Sequence, residues 1–195
     1  MKLFFYLATK NKNKLKEIKK IIGEEIDVLL PPDFINFPEE KGMTLKENAY
    51  LKAEYLSKFI KDEYIVGEDS GLFVEKLNGL PGVNSAIFSG KRDDNANIKK
   101  LLEMMKDFKN KQERKAKFIT VACLIGKNEK KFFKGEIEGY ITFSPRGKNG
   151  FGYDPVFEIP ETGKTFAELT LDEKNKISHR AKAFLKLKKY LLEKK

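Results

Sequence analysis

The segment LFFYLATKNKNKLKEIKKIIG, residues 3–23, decides how the chain begins to fold. Its apolar run Leu3–Ala8 is typical of a buried strand, and the apolar residues that follow recur at helical spacing up to Gly23. A buried strand that leads directly into a helix favours a sheet with helices packed against it. Because later segments repeat both patterns in a mixed order, we expect a mixed α/β fold around a mixed sheet.

The remaining elements are predicted from the same two periodicities. Thr44 with Glu47 three residues later forms a capping box, which opens a helix that extends to about residue 61. Ser178 is the predicted N-cap of the last helix. A further helix is predicted over residues 93–105, and strands over residues 26–30, 64–74, 117–125, 130–141 and 153–158.

Composition restricts the class of protein but does not identify its partner. A length of 195 residues fits one domain, and a hydrophobic content of 41% is sufficient for a sizeable core. The single cysteine, Cys123, excludes an internal disulfide framework, and no apolar run is long enough to span a bilayer. We therefore expect a cytoplasmic protein. The net charge of +10 fits an anionic partner, but a solvated, lysine-rich surface is the more common cause of such a charge.

Several polar residues lie where the first strand gives way to the first helix. The amide groups at a helix N-terminus attract anions, so ammonium groups there are favourable when a phosphate binds. The alternative is an ordinary helix cap, Asn11 or Asn13, with lysines that face solvent. The candidate phosphate-binding residues of this segment are Thr9, Lys10, Asn11, Lys12, Asn13 and Lys14.

Two adjacent carboxylates, Glu68 and Asp69, follow the apolar start of a predicted strand. Neighbouring side chains of a strand point to opposite faces, so the two acids should contact different partners. A buried carboxylate without a partner costs several kcal/mol, and a metal ion or a basic group is therefore expected beside the inward one. The alternative is a strand end with solvated acids.

A glycine-rich aromatic loop, residues 147–155, can turn sharply while it presents rings for stacking on a base. Asp154 of this loop supplies hydrogen-bond acceptors. Further along, Lys174 precedes the pair His179-Arg180, which suits phosphate or carbonyl oxygens. A single histidine excludes a multi-histidine zinc site, so any metal would be held by carboxylate oxygens, as Mg²⁺ prefers.

The order of these motifs resembles that of a known family. The series is Thr9-x-Asn11-x-x-Lys14, Glu40-x-Gly42-x-Thr44-x-x-Glu47-Asn48-Ala49-x-x-Lys52-Ala53, Asp69-Ser70-Gly71-Leu72, Leu80-Pro81-Gly82, Gly150-Phe151-Gly152-Tyr153-Asp154-Pro155 and Lys174-x-x-Ile177-Ser178-His179-Arg180. It is similar to the inosine triphosphate pyrophosphatase family, also called Ham1-like or noncanonical purine NTP pyrophosphatases. The similarity covers essentially the whole chain.

This resemblance implies a fold, an activity and an assembly. The fold would be a single two-lobed α/β domain over residues 1–195, with an elongated mixed β-sheet flanked by helices and a central active-site cleft, shared with Maf-like proteins. The activity would be Mg²⁺-dependent hydrolysis of ITP, dITP and XTP to the nucleoside monophosphate and pyrophosphate. The family also implies a homodimer, with no nucleic acid or membrane as partner.

The resemblance also assigns roles to individual residues. Asp69 matches the general base, and Glu40 with Asp69 matches the metal-binding carboxylates. Lys52 matches a lysine near the phosphates. The positions that match substrate-binding residues are Thr9, Lys10, Asn11, Lys12, Asn13, Lys14, Ser70, Phe151, Gly152, Tyr153, Asp154, Lys174, His179 and Arg180.

Two departures and three alternatives accompany the resemblance. Many members have Asp-Asp where this chain has Glu68-Asp69, and many bacterial members have arginine where it has Ile87. The alternatives are a protein that binds single-stranded nucleic acid, a Maf-like pyrophosphatase with another base preference, and an inactive relative that senses nucleotides. The first would leave the carboxylates unexplained, and the motifs around Phe151 and His179 argue against the second.

Overall fold

The computed structural model describes residues 2–126 and 128–194, and its described residues form a seven-stranded sheet. The order is β2-β1-β3-β5-β6-β7, and β4 pairs with β3. β1 is parallel to β2 and to β3, whereas the β3–β4 and β6–β7 pairs are antiparallel, so the sheet is mixed. The strands are β1 Leu3–Leu7, β2 Ile26–Leu29, β3 Ile65–Val74, β4 Pro81–Gly82, β5 Lys115–Gly126, β6 Glu129–Ile141 and β7 Phe157–Glu158.

The described part of the chain also contains five α-helices, most of which begin at a side-chain cap. Asn11, Thr44, Asp93 and Ser178 each accept a hydrogen bond from the backbone of the helix that follows, which satisfies amides that have no partner within the helix. The helices are α1 Lys12–Ile22, α2 Leu45–Ser57, α3 Asp94–Met104, α4 Leu171–Ile177 and α5 His179–Leu192.

The mixed α/β architecture predicted from the sequence is confirmed, and some boundaries are corrected. The capping box of Thr44 is present, but α2 ends at Ser57 rather than near residue 61. The strand predicted over residues 153–158 is mostly wrong, because Asp154–Val156 form a 3-10 turn and only Phe157–Glu158 are extended. Neither β4 nor α4 was predicted.

The chain divides into two compact units, and each has its own apolar core. The first unit comprises residues 1–69, 120–135 and 178–195, and its core includes Phe5, Ile18 and Phe184. The second unit comprises residues 70–119 and 136–177, and its core includes Phe157 and Phe166.

None of the five helices, as far as residues 2–126 and 128–194 are concerned, has both the length and the apolar character that a membrane span requires.

Candidate active site

The start of α1 combines a helix cap with a lysine that points at a carboxylate. The side-chain oxygen of Asn11 accepts hydrogen bonds from the backbone amides of Asn13 at 3.0 Å and of Lys14 at 3.1 Å. Thr9 in turn accepts from the amide of Asn11 at 3.1 Å. The side chains of Lys12 and Asn13 are exposed. Asn11 is therefore a helix cap, as one interpretation of the sequence predicted. The cap does not exclude the other interpretation, a phosphate site, because lysines also stand at this helix N-terminus.

The lysines of this segment point in different directions. Lys10 donates to the side-chain oxygen of Asn36 at 2.9 Å, so it is directed toward the loop that contains residue 36. Lys14 lies 2.7 Å from a carboxylate oxygen of Glu68. Of these two lysines, Lys14 is the one that joins the cluster of charges on β3.

Glu68 is buried at 3% exposure between two cations. One carboxylate oxygen contacts Lys14, and the other lies 3.2 Å from a guanidinium nitrogen of Arg180. Burial alone would raise the pKa of Glu68, but the charges of Lys14 and Arg180 outweigh it and hold the pKa well below its usual value. The carboxylate therefore stays ionised.

Arg180 joins two buried carboxylates of the first unit. Its Nη1 lies 2.5 Å from Glu17 of α1, and its Nη2 contacts Glu68. Arg180 is only 2% exposed and begins α5 together with His179, which is 3% exposed. The capping residue Ser178 starts this helix and so fixes where both side chains emerge.

Asp69 has a different set of partners from its neighbour Glu68, as the alternation of strand side chains predicts. One carboxylate oxygen accepts from the amide of Asn48 at 3.0 Å, and the other lies 3.2 Å from the Lys52 ammonium. Burial raises the pKa of Asp69 against the opposing charges of Lys52 and Lys14, and the nearby Glu40 and Glu68 add to the rise. A raised pKa makes this carboxylate a stronger base than a free aspartate.

Gly67 explains how α2 reaches Asp69. A Cβ atom at this position would lie 2.0 Å from the carbonyl oxygen of Ala49, so only glycine lets the helix pack this closely on β3. Asn48 and Lys52 are one helical turn apart and share the face that meets the strand. The close approach places both side chains on Asp69.

Lys52 connects the two carboxylates that the sequence proposes as metal ligands. Its ammonium lies 3.2 Å from Asp69 and 3.3 Å from Glu40. Burial acts to lower the pKa of Lys52, but the two carboxylates outweigh it and raise that pKa. Two carboxylates that converge on one cation form a small oxygen donor set, and Mg²⁺ is commonly bound by one or two carboxylates together with water and substrate phosphates. The residues therefore fit such an ion.

The second unit contains the predicted aromatic loop and a buried ion pair. The Lys174 ammonium lies 2.5 Å from Asp154, and both side chains are 3% exposed. The same ammonium lies 5.1 Å from the centre of the Phe151 ring. Asp154 also accepts from the amide of Phe151 at 2.9 Å, so it closes the loop on itself. Ser70, another predicted site residue, is half-buried in β3.

Two further contacts hold the loop backbone. The amide of Gly152 donates to Asp94 at 2.7 Å, and the hydroxyl of Tyr153 donates to the carbonyl oxygen of Ser85 at 2.8 Å. Gly152 has a φ of +60°, a conformation that favours glycine. Burial raises the pKa of the Tyr153 hydroxyl, so it remains a donor at neutral pH.

Sequence reasoning did not single out Glu17, Asn48 or Asp94 as site residues. Asn48 could have been found, because it lies one helical turn before Lys52. Glu17 also carries a signal, as the single acid among the lysines of residues 10–20. Asp94 carries none, because its contact with Gly152 joins positions 58 residues apart.

Comparison with known proteins agrees with this arrangement of motifs. The family model described as the Ham1 family matches residues 5–190. The dITP/XTP pyrophosphatase of Thermoanaerobacter sp. (strain X514) is 44% identical over 96% of this chain and 96% of its own length. The dITP/XTP pyrophosphatase of Bacillus subtilis (strain 168) is 45% identical, with 95% of each chain covered.

A solved structure shows the same fold. The Ham1 protein of Staphylococcus aureus superposes with a TM-score of 0.84 and 38% identity, and the match covers 98% of this chain and 100% of that one. The family match spans nearly every element that carries a proposed site residue. The chain belongs to the Ham1 family.

Proposed function

We propose that the protein hydrolyses noncanonical purine nucleoside triphosphates, namely ITP, dITP and XTP, to the monophosphate and pyrophosphate. The observation that carries the proposal is the Lys52 ammonium, which joins the carboxylates of Glu40 and Asp69 beside the Lys14–Glu68–Arg180 cluster. Relatives more than 40% identical over nearly their whole length are named dITP/XTP pyrophosphatases. The activity would remove these nucleotides from the nucleotide pool.

Asp69 accepts a proton in the proposed reaction. A water molecule attacks the α-phosphorus, the bond to the bridging oxygen breaks, and pyrophosphate leaves. Asp69 takes the proton of the attacking water, and its raised pKa supports this role. Asn48 and Lys52 hold one carboxylate oxygen each and orient the group. Lys14, Lys52 and Lys174 are proposed to bind the triphosphate.

Glu40 and Asp69 would hold the Mg²⁺ ion. When bound, Mg²⁺ supplies positive charge that offsets the negative charge developing on the phosphates. The Lys52 ammonium already contacts both carboxylates, which supports the view that this pair binds a shared cation.

Base recognition is assigned to two sets of residues. Phe151 offers a ring for stacking, and Asp154 offers acceptor oxygens. His179 and Arg180 are proposed to donate to the 6-keto oxygen of the purine. An adenine amino group would leave such donors unpaired, which would favour 6-keto bases. Thr9 to Asn13, Ser70, Gly152 and Tyr153 remain proposed substrate-binding positions.

The experiment that tests the function is pyrophosphate release from ITP, dITP, XTP, GTP and ATP, with and without Mg²⁺. Asp69→Asn should lower kcat by roughly 10²–10⁴-fold, the usual contribution of a general base, while the nucleotide dissociation constant changes by less than about threefold. Asp27→Asn serves as the control, because Asp27 is half-exposed and pairs only with Lys2 among the ion pairs of the described chain.

Each outcome decides a separate part of the proposal. Normal turnover by Asp69→Asn would show that the base is another group. Turnover by wild type without Mg²⁺ would remove the metal from the proposal. Nucleotide binding by wild type without pyrophosphate release would replace the enzyme with a nucleotide sensor.

Two further properties are proposed with the activity. We expect a homodimer, as the family resemblance implies, and a cytoplasmic location, as the single cysteine and the short apolar runs of the sequence suggest. Light scattering on the protein as it elutes from a size-exclusion column measures the mass of the particle in solution. A mass near the 22.5 kDa of one chain would contradict the dimer.

A further inference from the structure

A hydrogen bond joins the aromatic loop to the first turn of α3. A carboxylate oxygen of Asp94 accepts from the backbone amide of Gly152 at 2.7 Å. Gly152 stands directly after Phe151, so this bond fixes the peptide unit that follows the ring-bearing residue. A hydrogen bond to an ionised carboxylate is among the stronger kinds.

The other loop contacts restrain different atoms. Asp154 accepts from the amide of Phe151, which closes the loop internally. The Tyr153 hydroxyl reaches Ser85, which fixes its own ring. The contact with Asp94 instead ties the loop backbone to a helix.

The start of α3 is a fixed point because it is itself well anchored. Asn97 is 2% exposed, accepts from the amide of Ser89 at 2.7 Å and donates to the carbonyl oxygen of Ala86 at 3.1 Å. Asp94 therefore extends from a restrained backbone.

We propose that Asp94 is a positioning residue for base binding. By holding Gly152 in its left-handed conformation, it keeps the preceding Phe151 ring oriented for the purine. The inference rests on the proposed function, and it assigns Asp94 no contact with the substrate. Its effect should therefore fall on the affinity for the base and not on the chemical step.

The test compares Asp94→Ala, Asp94→Asn and the matched control Asp93→Ala. Asp94→Ala should raise the KM for XTP by roughly tenfold, the effect of one lost charge-assisted hydrogen bond. The kcat and the inhibition constant for pyrophosphate, which has no base, should stay within about twofold. Asp94→Asn keeps an acceptor oxygen and should restore most of the affinity. Asp93→Ala removes the helix cap and should lower Tm, but the two hydrogen bonds of the buried Asn97 still hold the start of α3, so KM should stay unchanged.

A second measurement reads the loop without reference to activity. In Asp94→Ala, hydrogen exchange at the Gly152 amide should be about tenfold faster, and in Asp93→Ala it should stay near the wild-type rate. An unchanged KM in Asp94→Ala, or an equal rise of KM in Asp93→Ala, would overturn the proposal. If wild type releases no pyrophosphate, the proposed function fails, and XTP affinity by calorimetry together with Gly152 exchange still decides the role of Asp94.

Discussion

Arg180 compensates the negative charges of two buried carboxylates in the first unit. Buried Glu17, Glu68 and Arg180 and the half-buried Lys14 form a group of two cations and two anions, so its formal charges cancel. Charges are tolerated away from water only when they are paired, and loss of one partner leaves the other uncompensated. Arg180 thus constrains α1 and β3 through one guanidinium group.

Removal of Glu17 should therefore be costly for the fold. Glu17→Ala is expected to lower the free energy of unfolding by about 3 kcal/mol, because it leaves Arg180 with one carboxylate fewer. Urea denaturation measures the change. Glu103→Ala is the matched control, since Glu103 is also helical but forms an exposed pair with Lys106, and its loss should cost less than about 1 kcal/mol. Equal losses in the two variants would show that the Arg180 pair is not stabilising.

The sequence predicted part of this arrangement. Adjacent strand residues face opposite sides, so Glu68 and Asp69 were expected to have different partners, and they do. The pairing of Glu17 with Arg180 could not be predicted, because 163 residues separate the two and no periodicity reports which helices pack together. The roles of the site residues in binding and catalysis stay predictions.

At the scale of elements, the packing of α2 on β3 sets the position of the Asp69 partners. Gly67 leaves no space for a side chain, since the backbone of Ala49 and Ala53 lies directly above it. The position of α2 therefore depends on Gly67, which belongs to β3.

Gly67→Ala should displace this helix and impair both stability and turnover. We expect a loss of about 3 kcal/mol in the free energy of unfolding, because backbone atoms cannot move aside as a flexible side chain can. Pyrophosphate release should fall as Asn48 and Lys52 leave Asp69. The control is Gly163→Ala in the second unit, where φ is +66° but a Cβ meets no atom within 4 Å.

The control isolates the conformational cost of the added Cβ. Gly163→Ala should lose about 1 kcal/mol and keep full turnover. If Gly67→Ala is no worse than Gly163→Ala, the close approach of α2 does not determine the site.

Helices and strands with a clear periodicity of apolar residues or a capping motif were predictable from the sequence, whereas elements without either were not. Thr44 and Glu47 predict the start of α2 from only four residues of sequence, because the capping box is a local interaction. Residues 154–156 were misassigned as strand, although Pro155 has a fixed φ that suits the first positions of the 3-10 turn that they form. The start of α4 carried a usable signal, because Thr170 and Glu173 cap each other, as in α2.

At the scale of the whole molecule, the net charge of +10 can arise from lysines that bind phosphate or from a solvated, lysine-rich surface. Three of the lysines proposed to bind the triphosphate are ion-paired: Lys14 with Glu68, Lys52 with Asp69, and Lys174 with Asp154. The excess charge therefore belongs to other positions, many of them exposed lysines. Such a surface attracts nucleic acid weakly and without regard to sequence.

Salt should separate this surface effect from the proposed activity. Binding to a single-stranded oligonucleotide should fall steeply between about 50 and about 200 mM salt, as counterion release requires. Pyrophosphate release from XTP at saturating substrate should change by less than about twofold over the same range. Tight oligonucleotide binding that survives the higher salt would favour a nucleic-acid-binding protein instead.

The position of Cys123 has a practical consequence for experiments on this protein. The thiol is fully buried in β5, and burial raises its pKa to about 12. Alkylating reagents attack the thiolate, so the native side chain should be inert to a maleimide at neutral pH. A cysteine introduced at an exposed surface position could then carry a single fluorophore without removal of the natural one.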